Sequence, residues 1–263
     1  MINNKLQNLP YILWINMERS KDRYNFMINQ FNILNIDNHY KIDAYDAKLY
    51  DLDIKNNNFS YVAIFCGASH LKALLYFVNN TDKIGNKCLI MEDDLDIIFS
   101  INKWSKNYTD YLSIYNNINY DIIQLQTFFI NKLFKEFKDI YNINIPYKRP
   151  YDFEKPIIEG YYGTACYLIT LKRAKEILDE YNIKNEEDIN TYILKYNDYK
   201  YFKIMKDSGK LIADHKLLYN KETYIMPIFY LKGNNDSNIG GNAYNDFQSK
   251  NQNRLLKYMK KIL

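Results

Sequence analysis

The chain has 263 residues, with 47% hydrophobic and 25% charged side chains, a balance that excludes wholesale disorder and a collagen-like architecture. Its net charge of +4 comes from 35 basic and 31 acidic residues spread along the whole length, which argues against the clustered positive charge of a dedicated nucleic-acid binder. The length lies near the upper limit for one hydrophobic core, so a single α/β domain over 1–263 is expected.

Tyr11 to Ile15 is an apolar run bounded by Pro10 and Asn16, which predicts a buried strand, and Ser20 then caps a helix through about Phe31. His39 to Ile42 predicts a second strand, and Asp43 to Asn58 a polar, irregular loop. Leu71, Leu74, Leu75 and Val78 recur at helical spacing behind Ser69, which predicts a helix opened by that serine and ended at Asn79-Asn80. Lys87 to Met91 is the next buried strand, and it runs directly into Glu92-Asp93-Asp94. Three carboxylates therefore sit at a strand's carboxyl end, where open α/β sheets hold their ligands.

A helical stretch around Trp104 to Tyr115 leads to a strand from Asp121 to Gln126. Asn131 to Pro156 is polar and aromatic without a clear period, and is read as a lid or acceptor loop. Thr164 to Ile169 returns as a strand, and a helix from about Leu171 to Tyr181 carries Ala174, Ile177 and Leu178 on one face. After a strand at Tyr224 to Ile228, Gly233 to Asn245 reads as a loop and Ser249 to Leu263 as a closing basic helix. The apolar stripe of that helix, Leu255, Leu256, Met259 and Leu263, suits packing on the body, with contact to an anionic membrane surface as the alternative. No apolar run approaches the roughly 20 residues of a membrane span. Nor does Met1 to Pro10 have the pattern of a signal peptide. Cys66, Cys88 and Cys166 have no metal-type spacing and sit among apolar neighbours, so free thiols in a reducing, cytoplasmic compartment are expected.

Gathering three carboxylates is unfavourable unless a cation or hydrogen-bond donors offset their repulsion. In an extended backbone Glu92 and Asp94 point the same way and Asp93 the opposite way. Two carboxylates on one face can hold a hard divalent ion and leave positions open for a diphosphate. An acidic triplet alone is equally a solvated turn.

The surrounding residues resemble glycosyltransferase family 25, the lipooligosaccharide and collagen galactosyltransferases. Tyr11-Ile-Leu-Trp-Ile-Asn16 with Glu18-Arg19 and Asp22-Arg23 resembles the family's opening strand and its "R-x-x-R" element, with Met17 where Leu is usual and one extra spacer between the arginines. Ile42-Asp43-Ala44-Tyr45-Asp46 is similar to its "A-x-D/G" segment, and Cys66-Gly-Ala-Ser69-His70 to its Cys-x-x-Ser-His. Leu89-Ile-Met-Glu-Asp-Asp94 is close to "I-x-E-D-D", and Gly163-Thr164-Ala-Cys-Tyr167-Leu-Ile169 with Ala174 to "G-T-x-x-Y-x-I-S…A". Ile212-Ala-Asp214 resembles a late "P-x-D" without its proline, and Asp236-Ser237-Asn-Ile239 a terminal "S-x-I".

The resemblance implies a GT-A type fold with a Rossmann-like central mixed sheet flanked by helices. It also implies an inverting, Mn²⁺- or Mg²⁺-assisted transfer of a hexose, galactose or glucose, from a UDP-sugar to a hydroxyl on a glycan, lipid-linked sugar or protein. Glu92 and Asp94, with His215 as a further candidate, are then the metal ligands. Asn16, Arg23, Asp43, Asp46, Ser69, His70 and Asp93 form the donor-binding set, with the amides at Ser69-His70 facing an anion. Asp214 is the expected general base. For Arg23, Asp43, Asp46 and Ser69 the plain alternatives are a solvated helix charge, turn chemistry and a helix cap. Two other functions compete: a non-catalytic carbohydrate-binding protein that keeps the fold, and a metal-dependent phosphoester hydrolase. The latter usually gathers several His, and this chain has only His39, His70 and His215.

Overall fold

A computed structural model describes residues 2–50, 59–126, 128–129, 146–149, 161–195 and 222–232. After a short helix α1 (Ile2–Lys5), strand β1 (Tyr11–Asn16) is followed by helix α2 (Lys21–Leu34) and strand β2 (His39–Asp43). Helix α3 (Phe59–Asn79) and the single turn α4 (Thr81–Ile84) lead to β3 (Lys87–Glu92), then α5 (Ile97–Lys103) and α6 (Tyr108–Ser113). Strands β4 (Ile122–Gln124), β5 (Phe128–Phe129), β6 (Tyr147–Lys148), β7 (Tyr161–Tyr162) and β8 (Cys166–Thr170) follow. Helices α7 (Leu171–Glu180) and α8 (Glu186–Lys195) and strand β9 (Thr223–Ile225) complete the described elements.

The main sheet is mixed, with strand order β2-β1-β3-β8-β4-β9-β6, while β5 and β7 pair separately. β1 lies between β2 and β3 in parallel, and β8 enters antiparallel between β3 and β4. The register of Asn16 opposite Asp43 and Ile15 opposite Glu92 brings the carboxyl ends of β1, β2 and β3 to one edge. This is the expected α/β architecture, a Rossmann-like mixed sheet flanked by helices.

Strands that are apolar throughout are explained by cover on both faces. Leu13, Ile15, Cys88, Ile90, Tyr167 and Ile169 pack with α3, α7 and α8 on one side. Ile12, Trp14, Leu89, Met91, Cys166 and Leu168 pack with α2, α5 and α6 on the other. Helix α7 buries Ala174, Ile177 and Leu178 as its periodicity predicts, at about 1.5–3 kcal/mol for each large side chain.

Several boundaries differ from expectation. Ser20 occupies the N-cap of α2, but its side chain makes no cap hydrogen bond. The helix expected from Trp104 to Tyr115 is the shorter α6, and Trp104 instead ends α5 in extended backbone, donating its indole N–H to the Ile228 carbonyl at 2.7 Å. Within the expected loop from Asn131 to Pro156, Tyr147–Lys148 forms the sheet's outer strand against β9. The rest of that segment, apart from 146–149, and the closing helix 249–263 lie outside the described residues. Among the described residues no helix is long and apolar enough to cross a membrane. None of the three cysteines forms a disulfide; Cys88 and Cys166 are buried and Cys66 is partly so.

The turn after β3 is held by a residue that periodicity does not single out. Gln30, on the buried face of α2, donates to the Leu95 carbonyl at 3.0 Å, while its Oε1 accepts from the amides of Ile97 and Ile98 at 2.6 and 3.2 Å. Replacing it with alanine strands buried backbone groups, each worth about 1–3 kcal/mol. Gln30→Ala is therefore expected to lower stability by at least about 2 kcal/mol in urea unfolding, and a loss below about 0.5 kcal/mol would mean that the turn holds itself.

Candidate functional site

The acidic triplet stands at the carboxyl end of β3, but it is not a continued strand. The strand ends at Glu92, and residues 93 and 94 form a turn that feeds Leu95 into a bridge with Leu231. The expected alternation thus holds for Glu92 and Asp93 and stops there. Glu92 continues the row of Cys88 and Ile90 toward α3, and Asp93 points toward α2. Asp94 is set by the turn, its carbonyl accepting from the Lys232 amide at 2.6 Å.

Each carboxylate has a different environment. Asp93 is buried and accepts from Arg23 Nη1 at 2.6 Å and Asn16 Nδ2 at 2.7 Å. Burial pushes its carboxyl above the usual range, against the pull of Arg23 and Asn16. Burial acts on Glu92 in the same sense, but the His70 contact, the Thr164 hydroxyl and the Arg23 charge outweigh it and hold Glu92 below its ordinary value. Thr164 Oγ1 donates to Glu92 Oε1 at 2.7 Å, and His70 Nε2 lies 3.3 Å from the same oxygen. Both contacts fall on Oε1.

Asp94 lies with Oδ2 4.0 Å from Arg23 Nη1, while Oδ1 is buried with no hydrogen-bond partner. Burial and the neighbouring Glu92 push its carboxyl up to about 7. A buried acceptor without a donor is costly. A cation beside Asp94 Oδ1 would remove that cost, and a lone carboxylate oxygen is the donor type that a hard divalent ion takes.

The other expected site residues fall into four groups. Asn16 and Arg23 do reach the triplet, but as the clamp on Asp93. Asp43 ends β2 and Asp46 follows it: Asp43 is exposed and paired with Lys41, while Asp46 pairs with Arg19 and accepts the Lys48 amide at 3.0 Å. Asp214 and His215 lie outside the described residues.

Ser69 and His70 require a correction. They do not open a helix, because α3 begins at Phe59, ten residues before Ser69, and passes straight through them. Their amides are consumed by the helix and cannot face an anion. The Ser69 hydroxyl instead donates to the Phe65 carbonyl at 2.7 Å and accepts from the Tyr45 amide at 2.9 Å. Buried His70 projects from mid-helix between Tyr167, 3.0 Å from Nδ1, and Glu92.

Thr164 was not assigned a role from sequence, although it belongs to the Gly163-Thr164 pair. Gly163 has φ +121°, and a Cβ there would stand 2.5 Å from Gln126 Oε1, so the chain needs glycine to pass Gln126. Its carbonyl accepts from Gln124 Nε2 at 2.8 Å, which fixes the entry to β8 and hence the Thr164 hydroxyl.

Compared with known families, residues 10–193 match the model of glycosyltransferase family 25, described as an LPS biosynthesis protein. Asp214 and His215 fall beyond the matched residues. No curated protein matches the chain.

Proposed function

The chain belongs to glycosyltransferase family 25, and from that premise we propose that it transfers a hexose from a nucleotide-sugar, of the UDP-hexose class, to an acceptor hydroxyl with the help of Mn²⁺ or Mg²⁺. The observation that carries the cation is the buried, partnerless Oδ1 of Asp94 beside Glu92. Asp94 and Glu92 would hold the ion, which would supply charge to neutralise the departing diphosphate.

The remaining residues prepare that place. Thr164 and His70 fix one oxygen of Glu92. Arg23 and Asn16 hold Asp93 away from Glu92, so three carboxylates coexist within one turn. Arg23 also brings positive charge next to Asp94, on the side where a diphosphate would rest.

The experiment is thermal denaturation with a panel of nucleotide-sugars, with and without Mn²⁺. A ligand at a hundred times its dissociation constant adds about 2.7 kcal/mol of stability, so a clear shift with one donor and Mn²⁺ together is expected. No shift with any nucleotide at saturating Mn²⁺ would overturn the reading. Slow hydrolysis of the donor without acceptor then separates a transferase from a carbohydrate-binding protein that keeps the fold.

Inversion belongs to the proposal through Asp214 as general base. Asp214→Asn is expected to lower kcat by about 100- to 10,000-fold with little change in donor affinity. Proton NMR of the first product formed from an α-linked donor should show a β-linkage. An α-linked product removes both inversion and this role for Asp214.

A further inference from the structure

Beside Glu92 and His70 lies a group that the transfer reaction does not use, the thiol of Cys66. The thiol of Cys66, a ring nitrogen of His70 and a carboxylate oxygen of Glu92 all lie within 4.8 Å of one another. Cys66 and His70 are one helical turn apart on α3, so their side chains emerge on the same face, toward the end of β3. A thiolate, an imidazole and a carboxylate are the donor set of zinc and its neighbours rather than of Mn²⁺ or Mg²⁺. We propose that Cys66, His70 and Glu92 form a binding site for a thiophilic divalent ion of the Zn²⁺ class.

The geometry is close to what such an ion needs. Metal bonds of about 2.0–2.3 Å in a tetrahedral arrangement set neighbouring ligand atoms about 3.3–3.6 Å apart. His70 Nε2 and Glu92 Oε1 already stand at 3.3 Å. The supporting contacts are also those of a metal site, in which a ligating imidazole is oriented through its other nitrogen and a ligating carboxylate is hydrogen-bonded in turn. Tyr167 lies 3.0 Å from His70 Nδ1, and Thr164 donates to Glu92 at 2.7 Å.

The protons balance without a redox step. With Nε2–H directed at Glu92, the Tyr167 hydroxyl donates to Nδ1. When an ion takes the place of the Nε2 proton, the ring carries its proton on Nδ1 and Tyr167 turns from donor to acceptor, which a phenol can do. The Cys66 thiol proton is released to solvent. The binding itself stands or falls without the transfer reaction.

The test uses the purified full-length chain and Co²⁺, a spectroscopic stand-in for Zn²⁺. Titration should produce a near-ultraviolet thiolate-to-cobalt charge-transfer band that saturates at one ion per chain and disappears in Cys66→Ser. A second readout needs no variant: Zn²⁺ should protect Cys66 from alkylation by iodoacetamide, mapped by mass spectrometry. Absence of the charge-transfer band, its persistence in Cys66→Ser, or equal alkylation with and without Zn²⁺ would each overturn the site.

Discussion

Asp94→Ala is expected to abolish the cation dependence of donor binding while leaving the fold intact. The side chain carries a buried, partnerless oxygen and is pushed up to about 7 by burial and Glu92, so its removal relieves a cost and opens no hydrogen-bonded network. Stability without added cation should therefore stay level or rise slightly. Losing a residue that only supports a metal ligand costs about 10- to 100-fold in affinity, and losing a ligand should exceed that. Donor affinity at saturating Mn²⁺, measured by calorimetry, is expected to fall by more than about 100-fold, to the value found with chelator. A variant that still binds donor with undiminished Mn²⁺ dependence would remove Asp94 from the metal shell. One that unfolds would show the turn at 93–94 to be structural.

The largest effect on stability is expected from Arg23. Its guanidinium is mostly buried against Asp93, with side-chain exposures of 18% and 8%. Removing one partner of a buried pair leaves an uncompensated charge and costs about 3–5 kcal/mol, far more than a surface pair is worth. Arg23→Met keeps the aliphatic stem and removes the charge, so the melting temperature should drop by roughly 6–20 °C, at about 2–4 °C per kcal/mol for a domain of this size. Adding Asp93→Asn should recover most of that loss, because the stranded charge goes with it. A single-variant cost under about 1 kcal/mol would show that water reaches the pair. The double variant also separates two roles for Arg23. Restored stability with unchanged donor affinity makes it a clamp on the turn, whereas restored stability with donor affinity still lost makes it a contact to the diphosphate.

Both predictions depend on a site that the sequence outlined and the tertiary structure assembled. The runs Tyr11 to Ile15 and Lys87 to Met91, and the stripe of Ala174, Ile177 and Leu178, declare themselves because burial imposes a period on neighbouring residues. Glu92-Asp93-Asp94 likewise stood out as an acidic cluster directly behind an apolar strand, and its resemblance to a family motif, with six others in order, carried the fold class and the class of reaction.

A serine before an apolar stripe has the pattern of a cap, so the pattern places the start of α3 at Ser69, ten residues past its true start at Phe59. Whether its hydroxyl caps its own helix or, as here, bonds the Phe65 carbonyl and the Tyr45 amide is settled by what packs beside it. The same limit hid Gln30, a polar residue in a helix whose partners lie 65 to 68 positions away. It also hid the division of labour among the three carboxylates. Asp93 is claimed by Arg23, 70 residues earlier, and Glu92 by Thr164, 72 residues later, while Asp94 keeps an oxygen with no partner.

By itself the sequence determined which segments are buried, which strand end is acidic and which family the pattern resembles. These follow from side-chain period and order along the chain. The tertiary structure alone decided which carboxylate is clamped, which is oriented and which keeps a buried oxygen without a partner. Those outcomes depend on hydrogen bonds between strands and helices far apart in sequence, and β8 running antiparallel between β3 and β4 is what brings Thr164 to Glu92.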